Sequence, residues 1–171
     1  MMTTRARFAV LAVAVALLGY TLYARTYEVS ALIGLGIVLL IRGYFKEGTV
    51  VLAAKAFRNK EYQKAETLLK EIRNPDYLRK ARRGYYEFIY GNIELQRGNY
   101  NEAELHFQIA SRFPLSSEND KGIVLVHLAN LNLRKKEYDR ARAYIDIAKD
   151  LKISARIQSI IERIEKEIQK P

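Results

Sequence analysis

Residues 59–69 read "NKEYQKAETLL", residues 97–107 read "RGNYNEAELHF" and residues 135–145 read "KKEYDRARAYI". Tyr62, Tyr100 and Tyr138 are each followed three residues later by Ala65, Ala103 and Ala141, so one phrase returns twice at a spacing of 38 residues. A fixed period of this size marks a chain assembled from repeated supersecondary units. From Lys46 onward the apolar residues recur with a helical period, and the breaks fall at regular places. "RNP" at 73–75 ends one helix, because Pro75 has no amide donor and biases Asn74 away from helical angles. "RFPLSSEND" at 112–120 ends another.

Short turns at Asn59-Lys60, Gly98-Asn99 and Lys136-Glu137 divide each unit into two helices. Antiparallel helices approach closely only where small residues face each other. Ala53 with Ala65, Gly91 with Ala103, and Ala129 with Ala141 are the expected crossings, with Tyr62, Tyr100 and Tyr138 capping each seam. The expected fold class is all-α. After the third unit, "SARIQSIIERIEKEIQK" sets Ile157, Ile160, Ile161, Ile164 and Ile168 on one helix face. A capping helix over about 155–169 that covers the last repeat is the expectation.

These residues resemble the tetratricopeptide repeat family. With each alanine at the family's twentieth position, the units begin at Lys46, Gly84 and Gly122, giving repeats at about 46–79, 84–117 and 122–155. The small residue of position eight is then Ala53, Gly91 and Ala129. The large residue of position 24 is Leu69, Phe107 and Ile145, and position 27 holds Ile72, Ala110 and Ala148. Two departures stand out: the period is 38 residues against about 34 in the family, and position eleven holds Ala56, Glu94 and Asn132 rather than an aromatic. The resemblance implies a three-repeat α-solenoid with a partner groove lined by the first helix of each unit. Carried over by position, the groove residues are Tyr85, Phe88, Asn92, Leu95 and Gln96 in the second unit, and Ile123, Val126, Asn130, Leu133 and Arg134 in the third. In peptide-binding relatives the asparagine position holds a peptide backbone, and Asn92 and Asn130 occupy it here.

The beginning of the chain has a different composition. Between Phe8 and Phe45 the only charges are Arg25, Glu28 and Arg42, and of 19 acidic residues all but Glu28 lie beyond Lys46. Apolar runs at about 8–24 and 29–45 are short for a bilayer core of roughly 30 Å, but Tyr20, Tyr23, Tyr27 and Tyr44 near their ends suit the interfaces and Arg42 can snorkel. Residues 1–45 therefore read as a membrane anchor of two transmembrane helices turned by "RTYEVS", and residues 46–171 as the repeat domain. A cleaved signal peptide is the rival, but Leu22-Tyr23-Ala24 lacks the small-x-small pattern before a cut. Basic residues flank the outer ends: Arg5 and Arg7 on one side, Arg42, Lys46, Lys55, Arg58 and Lys60 on the other, with Arg25 alone in the connection. The expected topology is an integral two-pass protein with both termini cytoplasmic.

The net charge is +10, and from Lys46 onward 25 basic residues are interspersed with 18 acidic ones, which is the pattern of solvated helix faces. With no cysteine, disulfides and thiolate metal sites are excluded, and the compartment is left open. No phosphate-binding loop, nucleophile elbow or paired metal-histidine motif is present. His106 and His127 have no acid or second ligand at metal spacing, and they read as surface or packing residues. Glu102 and Glu104, and Glu162, Glu165 and Glu167, read as solvated faces. "YLRKARRGYYEFIY" at 77–90 offers Arg79, Lys80, Arg82 and Arg83 as a patch for an acidic partner or anionic lipid, while its aromatics read as packing rather than nucleic-acid stacking. No catalytic residue, cofactor or metal is expected. The function expected from the sequence is non-catalytic: protein–protein interaction or complex assembly at a membrane. A structural or accessory subunit of a larger membrane complex, with the repeats as a supporting lobe, is the alternative.

Overall fold

The computed structural model describes residues 4–169, and among these the chain is all-helical, with no strand. The helices are α1 (Thr4–Tyr23), α2 (Tyr27–Glu47), α3 (Val50–Arg58), α4 (Tyr62–Lys70), α5 (Lys80–Arg97), α6 (Tyr100–Ser111), α7 (Glu118–Arg134), α8 (Tyr138–Lys149) and α9 (Ala155–Ile168). The chain divides into two compact units, one ending at Arg82 and one beginning at Arg83. Each is described by itself below.

In the first unit α1 and α2 lie against each other, and their outer sides are bare. Leu32 is 70% exposed and Val13 62%. Apolar surface on this scale is unstable in water and needs a covering of lipid or protein. Of the two, α2 is long and apolar enough to cross a membrane, and Phe8–Tyr23 forms a shorter apolar stretch. The connection is tighter than expected from sequence: Ala24–Thr26 alone turn the chain, and Tyr27 through Ser30 of "RTYEVS" already belong to α2. Gly48, at φ +56°, then separates α2 from α3 and donates its N–H to the Tyr44 carbonyl. This left-handed break places Lys46 inside α2 and shortens the first helix of the first repeat to nine residues. The side chains of Arg5 and Arg7 lie outside the described residues.

Lys60, Gly98 and Lys136 carry positive φ values of 63°, 81° and 61°, and they are spaced by the same 38 residues as the sequence phrase. Each closes a helix by the same pair of bonds. Lys60 donates to the Phe57 carbonyl and Glu61 to that of Ala56; Gly98 donates to Leu95 and Asn99 to Glu94; Lys136 donates to Leu133 and Glu137 to Asn132. This is the 5→2 and 6→1 bonding of a left-handed helix cap. The next helix then starts at a tyrosine, and the alanine three residues on is fully buried in every unit (Ala65, Ala103 and Ala141, all 0% exposed). The tyrosines sit at the rim: Tyr62 meets Phe57 edge-on at 5.6 Å, while Tyr100 and Tyr138 are partly exposed.

A fourth copy of this turn joins α1 to α2. Arg25 has φ +56° and donates to the Leu22 carbonyl, and Thr26 donates to that of Thr21. Tyr27 follows where the other tyrosines stand. Ser30 takes the place of the buried alanine, at 6% exposure, and its hydroxyl lies 3.0 Å from Thr21 Oγ1 and from the Thr26 carbonyl. A serine with both partners at hand satisfies its hydroxyl within an apolar pair.

Only the middle repeat has glycine at the left-handed position. A non-glycine residue there costs roughly 1–2 kcal/mol, partly offset by the extra freedom glycine has in the unfolded chain. Lys136→Gly is therefore expected to stabilise the fold by about 0.5–1 kcal/mol, and Gly98→Lys to destabilise it comparably, as read from thermal unfolding of the full chain in detergent.

In the second unit α5 and α6 pack through Gly91. A Cβ there would stand 2.8 Å from the Phe107 ring, so the glycine makes room for Phe107. Gly122 gives the same close approach to Ile153, and Gly84 to Leu115, one period earlier. The loop after α8 is tied back to the start of α7: the Ser154 N–H donates to Asn119 Oδ1 (2.9 Å) and the Lys152 N–H to Glu118 Oε2. On α9, Ile157, Ile161 and Ile164 are buried against Leu125, Val126, Ala129, Ile145 and Ala148 of α7 and α8. The isoleucine stripe is thus covered by the last helix pair.

Candidate partner-binding site

The ten residues proposed to line a groove occupy α5 and α7, but they differ in how much they present. On α5, Phe88 is almost fully buried against Phe107, and Tyr85 packs edge-on to Phe88 while its hydroxyl donates to Asp120. Burial is the main cause that raises the Tyr85 hydroxyl above its ordinary range, and the Asp120 bond adds to it. Asn92 does not hold its amide outward: Nδ2 donates to the Phe88 carbonyl one turn back at 2.8 Å. Leu95 is half-buried and Gln96 exposed.

On α7, Val126 belongs to the core under α9, with Ile123 and Leu133 packed against it. These three do not form an open wall, because α9 already takes their apolar surface. Asn130 is half-buried, with no hydrogen-bond partner among the described residues. Arg134 lies over the Tyr100 ring, 3.9 Å from its centroid. There it borders an open recess of about 580 Å³ at the start of α6, formed with Asn99, Asn101, Glu102, Leu131 and Lys135. Of the set, Gln96 and Arg134 are exposed, Phe88 and Val126 are buried, and the other six are half-buried.

The basic patch is largely neutralised. Arg79 and Arg82 both reach Glu47 (2.9 and 2.7 Å). Arg83 pairs with Glu87 at 2.8 Å. Lys80 alone of the four stays exposed without an ion pair among the described residues. The partners could not be read in advance, because Glu47 is 35 residues from Arg82 in sequence and meets it only once the chain has turned back.

Two buried carboxylates correct the sequence reading of the acids and histidines. Glu87, only 2% exposed, is ion-paired with Arg83 and lies 2.6 Å from His106 Nδ1, whose ring stacks on Tyr90. So His106 does have an acid beside it, delivered from α5 onto α6. Glu104 is buried rather than solvated: Asn132 Nδ2 donates to its Oε1 at 3.2 Å and Lys135 Nζ to its Oε2. Asn132 is fully buried, and its Oδ1 has no partner. One sequence signal was available for Glu104. An acid follows the buried alanine in two units, Ala65-Glu66 and Ala103-Glu104, and both acids are buried.

His127 stacks flat on Phe107 with centroids 4.8 Å apart, and burial lowers its pKa to about 4. It is a packing residue held neutral. Among the described residues no group of three or more His, Asp or Glu side chains has metal-holding geometry. The paired groups instead tie helix to helix: Glu87 joins α5 to α6, and Glu104 joins α6 to α7.

Fold and site together define an all-helical protein of repeated helix–turn–helix units with one candidate membrane helix. Compared with known proteins, the chain matches no family model, no curated protein and no solved structure.

Proposed function

We propose that this chain is a membrane-anchored repeat protein of the tetratricopeptide kind, which holds another protein at the bilayer surface without catalysing a reaction. The observation that carries the reading is the turn at Lys60, Gly98 and Lys136, repeated with a left-handed φ, the same two hydrogen bonds and the same buried alanine. A chain that repeats one local solution at a fixed interval is building an extended surface, and such surfaces bind proteins. The bare apolar sides of α1 and α2 supply the anchor. Anchoring confines the encounter to the membrane and raises effective concentration without new contacts.

The partner surface is narrower than ten residues. Leu95 and Gln96 at the end of α5, with Asn130 and Arg134 along α7, remain as its candidates. The Asn130 amide is available to a peptide group of the partner as both donor and acceptor. The test is a photo-crosslinking residue placed at Asn130 or Gln96 of the full chain in intact membranes. A discrete protein adduct from these positions, absent with the same residue at Arg163 on α9, is expected. Equal adducts from all three positions, or none, would remove the groove from the proposal.

A further inference from the structure

At the foot of α2 the first unit encloses a cavity of about 210 Å³. Tyr44 and Phe45 of α2 form one wall, Ile72, Tyr77 and Leu78 the other. Gly48 lines it too: a Cβ there would meet Leu78 and Ile72 at 3.0–3.1 Å. The rings run edge to face, Tyr44 on Phe45 at 5.3 Å and Phe45 on Tyr77 at 6.1 Å. Of the polar groups on the rim, Glu71 already has a partner, whereas Arg73 is exposed and makes no hydrogen bond or ion pair among the described residues.

Three features of the cavity bear on what would fill it. An apolar cavity excludes water and takes up hydrocarbon, and one of about 150 Å³ suffices for benzene. Phe45, which lines the cavity, is also exposed on α2, as is Ile41 one turn before it. Finally, 21 residues of helix span about 31 Å, the thickness of a bilayer core, so the Phe45 end of α2 lies at headgroup depth. Aromatic rings with a nearby cation are the usual furniture of that level.

We infer that this cavity takes up a stretch of acyl chain from an anionic phospholipid, with the lipid phosphate on Arg73. The inference rests on the membrane-anchor reading of α1 and α2. The uncommitted guanidinium supplies the charge complement to the phosphate. The cavity has room for only part of a chain, so the remainder stays in the bilayer beside Ile41.

The test uses the full chain in nanodiscs of phosphatidylcholine doped with phosphatidylglycerol that carries a diazirine on the upper part of one acyl chain. Labelled peptides are then mapped. Labelling within residues 71–78 as well as within α2 is expected, and Arg73→Gln should reduce the 71–78 labelling several-fold. The same acyl-chain probe on phosphatidylcholine, whose phosphate is paired with its own choline cation, should lose less labelling on that substitution. Ile72→Phe, which fills the cavity, should abolish labelling at 71–78 for both lipids, with unchanged helix content by circular dichroism. Labelling of α1 and α2 alone would overturn the cavity inference and leave the anchor standing. Absence of labelling throughout residues 8–45 would overturn the anchor reading and the inference with it.

Discussion

Glu87→Ala is expected to cost about 3–5 kcal/mol of folding stability, because it removes a buried acid that faces both the Arg83 guanidinium and His106. Glu87 is the hub of the contact between α5 and α6. Its two oxygens serve Arg83 at 2.8 Å and His106 at 2.6 Å, and the Arg83 side chain has little access to water. The loss corresponds to a fall of about 10 °C in the unfolding midpoint for a chain of this size. Glu87→Gln keeps hydrogen-bonding capacity but not the charge, and it should fall between the two. The measurement is thermal unfolding of the full chain in detergent, followed by circular dichroism. A shift corresponding to less than about 1 kcal/mol would mean that Arg83 and His106 find water or other partners once the acid is gone.

His127 makes stability depend on pH. Its pKa is about 4 in the folded chain and ordinarily 6.5, because burial beside Phe107 disfavours the imidazolium. Between these values the unfolded chain binds a proton that the folded chain does not. Folding is therefore fully favoured on this account above pH 6.5, and it loses stability as pH falls towards 4. The loss approaches roughly 3 kcal/mol at about 1.4 kcal/mol per unit. His127→Phe keeps a ring against Phe107 and removes the titration. The stability of the parent chain minus that of the variant should be flat above pH 7 and decline steadily between pH 6.5 and 4. A constant difference across that range would show that the imidazole reaches solvent when protonated.

Much of the fold was legible because it depends on local chemistry. The turns expected at Asn59-Lys60, Gly98-Asn99 and Lys136-Glu137 each contain the left-handed residue, since a left-handed cap and a small buried residue are requirements of neighbouring positions. The isoleucines of α9 showed their buried face because a helix has only one period. The same local rule hides in "RTYEVS", where arginine and serine stand for lysine and alanine. Its apolar surroundings led the phrase to be read as a loop rather than as a turn followed by the first turn of α2.

What was not legible depends on helices meeting at a distance. Helical period assigns Glu87 and His106 to faces of α5 and α6, but not to the same height along the seam. Nineteen residues of sequence separate them, and the phase between two helices is set by packing around Phe107. Two of the ten groove candidates are buried for a related reason. Position numbers carried from a family put Val126 and Phe88 on a binding surface, whereas α9 covers Val126 and Phe88 packs against Phe107. Arg79 and Arg82 read as free charge until α2 was seen to bring Glu47 between them.

We propose further that α1 and α2 cross a bilayer as a pair, with the repeats on the cytoplasmic side. The chain has no cysteine, so single substitutions report position without background. Ala24 in the turn between the two helices and Gln158 on the outer side of α9 are both exposed. In intact cells a membrane-impermeant maleimide should label Ala24→Cys, and it should label Gln158→Cys only after the membrane is opened. Labelling of both positions from the same side of an intact membrane would contradict the account.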